Sequence, residues 1–180
     1  MTAAPAGHLV VVDMQRVFAD PGSGWATPGF AAIVDTVAAL VEAFDPAVTL
    51  TRFVSPARPR GAWREYYRQW PFALQPPDAP LWDVVPELAR PHPTVDAPTF
   101  SKWGPELAAR VGDADLVLAG VSTDCCVLST ALAAADAGVA VRVVADACAG
   151  GDEAGHRKAL DVMRLYAPLV EVVTADEVLV

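Results

Sequence analysis

Three runs in this chain are almost wholly Val, Leu and Ala and close on a polar residue or a turn: HLVVVD at 8–13, DLVLAGV at 115–121 and VAVRVVAD at 139–146. Continuous apolar runs of this length suit strands buried on both faces, as in a parallel sheet. AVTLTRFV at 47–54 and LVEVV at 169–173 read as further strands, with a short one near 93–96. Between them the apolar spacing changes to that of a helix. Phe30, Ile33, Val34, Val37, Val41 and Phe44 recur at helical intervals, and residues 124–138 place Val127, Ala131, Ala135 and Gly138 near one face. A third helix is expected at about 153–166. Such alternation predicts an α/β protein, a three-layer αβα sandwich around a mostly parallel, doubly wound sheet. The 180 residues fit one domain, spanning 1–180. DPGSGWATPG (20–29) is a turn-rich loop. Residues 55–98 are irregular and rich in Pro and aromatics, with short helices expected around 81–89.

Composition narrows the partners. The chain is 53% hydrophobic and 19% charged, which fits a packed globular core. A net charge of −9 argues against nucleic acid or an anionic membrane as partner. No apolar run approaches the roughly 20 residues of a membrane span, and MTAAPAGHLVVVDM has no basic n-region of a signal peptide. The three cysteines, Cys125, Cys126 and Cys148, are an odd number without metal-type spacing, and adjacent cysteines fit disulfide geometry poorly. Free thiols and a cytoplasmic location are expected.

In an open parallel sheet, ligands bind beyond the C-terminal strand ends, where the strand order reverses. Three chemically capable groups fall at or after such ends. Asp13 closes the first strand, Lys102 follows the irregular region in TFSKWG, and Cys125–Cys126 follow the strand ending at Val121. Taken singly, each has an ordinary reading: a turn cap, a solvated lysine and a small core thiol. Together they form a nucleophile, a base and a cation. Thr123 or Asp124 is a candidate helix cap. It would leave a cysteine in the first turn, where free amides and the helix dipole favour a thiolate. A nearby carboxylate is a proton acceptor for that thiol, and a lysine holds the carboxylate in register.

VVVDMQRVF, FSKWG and GVSTDCCVLSTALAAADAG resemble, in order and spacing, the three signature segments of the isochorismatase-like cysteine hydrolases. The last is similar to the pattern G-[VI]-x-T-[DN]-x-C-V-x-x-T-x-x-x-A-x-x-x-G. The resemblance implies an αβα fold and an Asp13–Lys102–Cys126 triad. Adjacent helical residues point about 100° apart, so only one of the two cysteines serves; the family pattern selects Cys126. Cys125 and Cys148 are then packing residues. The resemblance also implies an oxyanion hole from the backbone N–H groups of Ser122 and Cys126, a non-proline cis peptide between Val121 and Ser122, and a homo-oligomer. The implied reaction is cleavage of a C–N bond in a small amide, ureide or carbamoyl substrate through a thioester, with water as co-substrate.

Two departures narrow this expectation. Nicotinamidases of the family carry an Asp-x-His metal site after the second strand, whereas this chain has TRFVSPARP at 51–59, with Phe53 near that place and no histidine nearby. No metal and no other cofactor are therefore expected. Isochorismatases proper, which cleave a vinyl ether, lack the cysteine. Expected pocket residues are Gln15, Phe18, Trp25, Phe53, Tyr67, Trp70, Trp103 and Val121. The aromatic stretch 61–77 reads equally as a lid or pocket wall and as loop or interface packing. Arg52 and Arg64 are possible anion contacts, and Asp146 a brace for its loop. The rival readings are an isochorismatase-type hydrolase, a catalytically silent binding protein on the same scaffold, and a dinucleotide-binding oxidoreductase. No G-x-G-x-x-G follows the first strand to support the last.

Overall fold

The computed structural model describes residues 5–179. Six strands form one sheet: β1 (His8–Val12), β2 (Val48–Phe53), β3 (Thr94–Ala97), β4 (Leu116–Val121), β5 (Val141–Ala149) and β6 (Val170–Val173). Their order is β3-β2-β1-β4-β5-β6, and every neighbouring pair is parallel. The direction of winding reverses between β1 and β4, which is where such sheets open a binding crevice.

Alternation along the strands divides the interior in two. Leu9 and Val11 of β1, with Val117 and Ala119 of β4, face one core with α2 (Phe30–Phe44), whose Ile33, Val37, Leu40 and Phe44 form its apolar stripe. Val10, Val12, Leu116 and Leu118 face the opposite core, filled from α4 (Pro105–Val111), α5 (Leu128–Asp136) and α6 (Glu153–Arg164). Both faces of the central strands are thus dry, which explains their lack of polar alternation. Short helices α1 (Arg16–Ala19), α3 (Trp63–Gln69) and α7 (Ala175–Val178) complete the fold. Among the described residues, no helix is long and apolar enough to cross a membrane.

Several elements differ from the sequence-based expectation. The region 81–89 holds 3₁₀ turns at Pro80–Trp82 and Pro86–Leu88, each opened by a proline. Part of the irregular 55–98 region is regular, since Trp63–Gln69 is α-helical. β5 does not stop at Asp146. A bulge shifts its register against β4, and Cys148 and Ala149 then pair with Gly120 and Val121. The helix expected at 124–138 begins as a π-helical turn, Thr123–Val127, before α5. Neither Thr123 nor Asp124 caps it, because both side chains turn to the segment before and within α6. Thr123 Oγ1 meets His156 Nδ1 at 2.8 Å, and Asp124 Oδ1 accepts the Gly151 N–H at 3.0 Å. Asp146 lies within β5 and braces α7 rather than its own loop, accepting the Ala175 N–H at 2.8 Å.

Candidate active site

β1 and β4 are neighbours with Val12 opposite Gly120, so the residues that follow each strand emerge side by side. Gly120 has φ 114°, and a Cβ there would collide with the Val12 backbone, so glycine lets the two chains approach this closely. Asp13, with φ 50°, is the only non-glycine residue in the left-handed region among those described. The turn it makes is held by Thr51 of β2. The Thr51 hydroxyl accepts the Asp13 N–H at 3.2 Å and donates to Asp13 Oδ1 at 2.8 Å. One side chain therefore fixes both the backbone and the carboxylate, the kind of over-determination that a left-handed aspartate needs.

Lys102 reaches the same carboxylate from the loop before α4. Its Nζ lies 3.0 Å from Asp13 Oδ2, and neither side chain has any exposure to water. The geometry is a charge contact rather than an aligned hydrogen bond. The ammonium donates to the Thr99 carbonyl at 2.7 Å and sits 4.6 Å over the Phe53 ring. These partners compensate a burial that would otherwise be costly for both charges. The surface-lysine reading therefore does not hold.

Cys126 is buried inside the π-helical turn after β4. Its thiol is pushed well above the ordinary cysteine range, first by burial and then by the Asp13 charge; Lys102 opposes this, while hydrogen bonding to Asp13 adds to it. Burial and the carboxylate work against the resting thiolate that a helix start was expected to favour. Asp13 stands beside the sulfur as a proton acceptor. Thr130, one turn on, donates to the Cys126 carbonyl at 2.6 Å and accepts the Lys102 N–H at 2.9 Å. It ties the lysine loop to the cysteine helix. The Ser122 carbonyl takes the amides of Cys125 and Val127, at 3.0 and 3.1 Å, and passes over that of Cys126. The Val121–Ser122 peptide is cis.

A cavity of about 240 Å³ opens beside Cys126, walled by Phe18, Trp25, Phe53, Tyr66 and Phe100, with Ser122, Asp124, Cys125 and Gly151 at its polar side. Of the expected pocket residues, Phe18, Trp25 and Phe53 are among its walls. The other expected pocket residues do not line it. Gln15 is consumed in structure: its amide donates to the Phe53 and Trp82 carbonyls at 3.0 and 2.8 Å and accepts the Phe53 N–H at 2.8 Å. Tyr67 is buried against Trp63 and the ring of its neighbour Tyr66, and it does not reach the cavity. Trp70 packs on Trp25 and Phe72, Trp103 on the opposite core, and Val121 is wholly interior. Cys148 is a buried packing thiol, but Cys125 is exposed and borders the cavity, contrary to expectation. Arg52 is engaged by Asp96 through two hydrogen bonds, at 2.8 and 2.6 Å, and Arg64 is exposed. The 61–77 segment does both things asked of it: Tyr66 forms wall, while Trp63, Tyr67 and Trp70 pack an aromatic cluster. Phe100, Thr51 and Thr130 carry no sequence expectation, and Tyr66 only that of its aromatic segment. The two threonines had a signal, since a polar residue inside an apolar strand or helix face needs a partner.

Comparison with known proteins agrees with this architecture. The chain superposes on a cysteine hydrolase from Pseudomonas syringae pv. phaseolicola 1448A with a TM-score of 0.83 at 23% identity, covering 99% of this chain and 97% of that one. A nicotinamidase/pyrazinamidase from Acinetobacter baumanii gives 0.77 at 24%, covering 98% and 99%. A pyrazinamidase of Pyrococcus horikoshii, solved in complex with zinc, gives 0.74 at 24%, covering 94% and 99%. At these identities the likeness carries the fold alone. No protein with a curated description matches the chain significantly. The sequence profile of the Isochorismatase domain matches residues 8–177, nearly the whole chain, and the protein belongs to that family of hydrolases.

Proposed function

We propose that the protein is a cysteine hydrolase that cleaves a C–N bond of a small amide, ureide or carbamoyl compound without a metal. The observation that carries this reading is the meeting of Asp13, Lys102 and Cys126 at the crevice between β1 and β4, beside a cavity. Cys126 attacks the substrate carbonyl as its proton passes to Asp13. Charge that develops on the carbonyl oxygen is received by backbone N–H donors of Cys126 and Ser122. Asp13 then gives the proton to the departing nitrogen, and the C–N bond breaks to leave a thioester on Cys126. Water, deprotonated by Asp13, hydrolyses the thioester and releases the acid, or a carbamate that decomposes. Lys102 holds Asp13 in place through their 3.0 Å contact; Thr51 and Thr130 are positioning residues.

The metal-free element rests on side chains. Among the described residues, no three of His, Cys, Asp or Glu gather as a ligand set. At the end of β2, where related enzymes ligate metal, stand Phe53 and Ser55, and the Ser55 hydroxyl bonds the Gln75 carbonyl at 3.1 Å. The test is a panel of nicotinamide, N-carbamoyl amino acids, biuret, ureidoacrylate and lactams, assayed for ammonia and for new products by mass spectrometry, with and without chelator. Chelator-resistant turnover that Cys126→Ala abolishes is expected. No turnover of any amide, or turnover that survives the substitution, overturns the reading.

A further inference from the structure

We infer that the cavity beside Cys126 selects its substrate by charge, admitting acyl groups that carry no negative charge and turning away those that bear a carboxylate, with Asp124 as the residue that sets this preference. The inference rests on the cysteine-hydrolase reading and adds the substrate class to it.

No Lys, Arg or His lines the cavity. Its apolar side is built from aromatic rings, whose faces carry negative partial charge and repel anions. The one nearby cation is not available. The Lys102 ammonium has no exposure, lies 3.0 Å from Asp13, donates to the Thr99 carbonyl, sits over the Phe53 ring and does not line the cavity. Its charge is matched by that of Asp13, so the buried pair presents little net charge to a ligand.

Asp124 is different. It is partly buried at the cavity wall and has no cationic partner among the described residues. Its Oδ1 accepts the Gly151 N–H at 3.0 Å, which fixes the carboxylate in place. Asp124 lines the cavity beside Cys125, and its charge helps hold up the pKa of that thiol, after desolvation. The exposed Asp152 and Glu153 follow Gly151 and add charge of the same sign. An incoming carboxylate would lose its water among aromatic faces and meet only like charge, a combination that specificity against a competitor exploits. Neutral acyl groups meet neither obstacle.

Iodoacetamide and iodoacetate test this without a known substrate, because they differ only as an amide differs from a carboxylate. Rates of alkylation at Cys126 and Cys125 are measured on the intact protein by site-resolved mass spectrometry and normalised to free cysteine. Both thiols border the cavity, so each reports on it. The neutral reagent is expected to be favoured about tenfold, the effect of one unit charge a few ångströms away in a half-wet site. Asp124→Asn keeps the acceptor for Gly151 and should cut the preference to about two- to threefold; in wild type, raising the salt should do likewise. Equal normalised rates, or a preference that neither Asp124→Asn nor salt reduces, overturn the inference and leave the hydrolase reading standing. A charge preference at Cys125 that Asp124→Asn reduces, with Cys126 unlabelled, upholds the inference, and the role of Cys126 is then decided by the turnover of Cys126→Ala.

Discussion

Lys102 Nζ and Asp13 Oδ2 lie 3.0 Å apart with both side chains sealed from water, one from the loop before α4 and the other from the end of β1. Removing one partner strands a buried charge, which typically costs about 3–5 kcal/mol. Lys102→Met is therefore expected to lower unfolding stability by that order and abolish turnover. Asp13→Asn combined with Lys102→Met should regain much of the stability and none of the activity. Urea denaturation of the two variants checks this. A double variant no more stable than Lys102→Met would contradict the charge argument.

The same carboxylate raises the Cys126 pKa through its charge and hydrogen bonding, while Lys102 lowers it. Asp13→Asn removes the raising charge and keeps the lowering one, with burial unchanged. The Cys126 thiol in this variant should therefore ionise at lower pH than in wild type, seen as thiolate absorbance near 240 nm in a Cys125→Ser, Cys148→Ala background. Turnover should nonetheless vanish, because the proton acceptor is gone. A more acidic thiol paired with a dead enzyme is the signature of Asp13 as base. A thiol pKa that stays or rises would refute its assigned role.

Gln15 links Phe53 and the Trp82 carbonyl through three buried hydrogen bonds. Gln15→Ala leaves these backbone groups without partners, at about 1–3 kcal/mol each where no water enters. Stability should fall by several kcal/mol in denaturant titration, and any remaining folded protein should retain its KM more nearly than a Tyr66→Phe variant does, since only Tyr66 borders the cavity.

Alkaline conditions should weaken the fold in a defined window. Burial raises Cys148 to about 12 from an unfolded value of 9.0, and Tyr67 to about 12 from 10.0. Between those limits the unfolded chain binds fewer protons than the native one, so stability falls as pH rises. The contribution is fully present below pH 9 and lost as pH climbs toward 12. Cys148→Ala should flatten the fall measured by denaturant midpoints over that range. An unchanged slope would show that the buried thiol does not drive it.

The strands were legible because they follow from local rules, whereas the choice of Asp13, Lys102 and Cys126 as a proposed triad came from the resemblance to the family's signature segments. Apolar runs marked both-face burial, and the ends of β1 and β4 marked the crevice. What stayed hidden depends on three-dimensional neighbours. β5 runs past Asp146 because a bulge lets Cys148 pair with Gly120, a register no strand pattern contains. Tyr66 and Tyr67 are adjacent and chemically alike in sequence, and only the docking of α3 on Phe53 and Phe100 decides which borders the cavity. Cys126 was expected to be acidic from its place at a helix start, but its burial depends on the whole fold. α4, by contrast, carried an unread signal, with Pro105 at its first position and Gly112, at φ 61°, just past its end.

The most direct test of the account is the mass of the peptide carrying Cys126 after rapid acid quench of the protein during turnover of an amide identified in the panel. The account predicts an added acyl group on Cys126, formed and lost at the rate of turnover and missing from Cys126→Ser. Turnover with no acyl adduct at Cys126, undiminished in that variant, would contradict it.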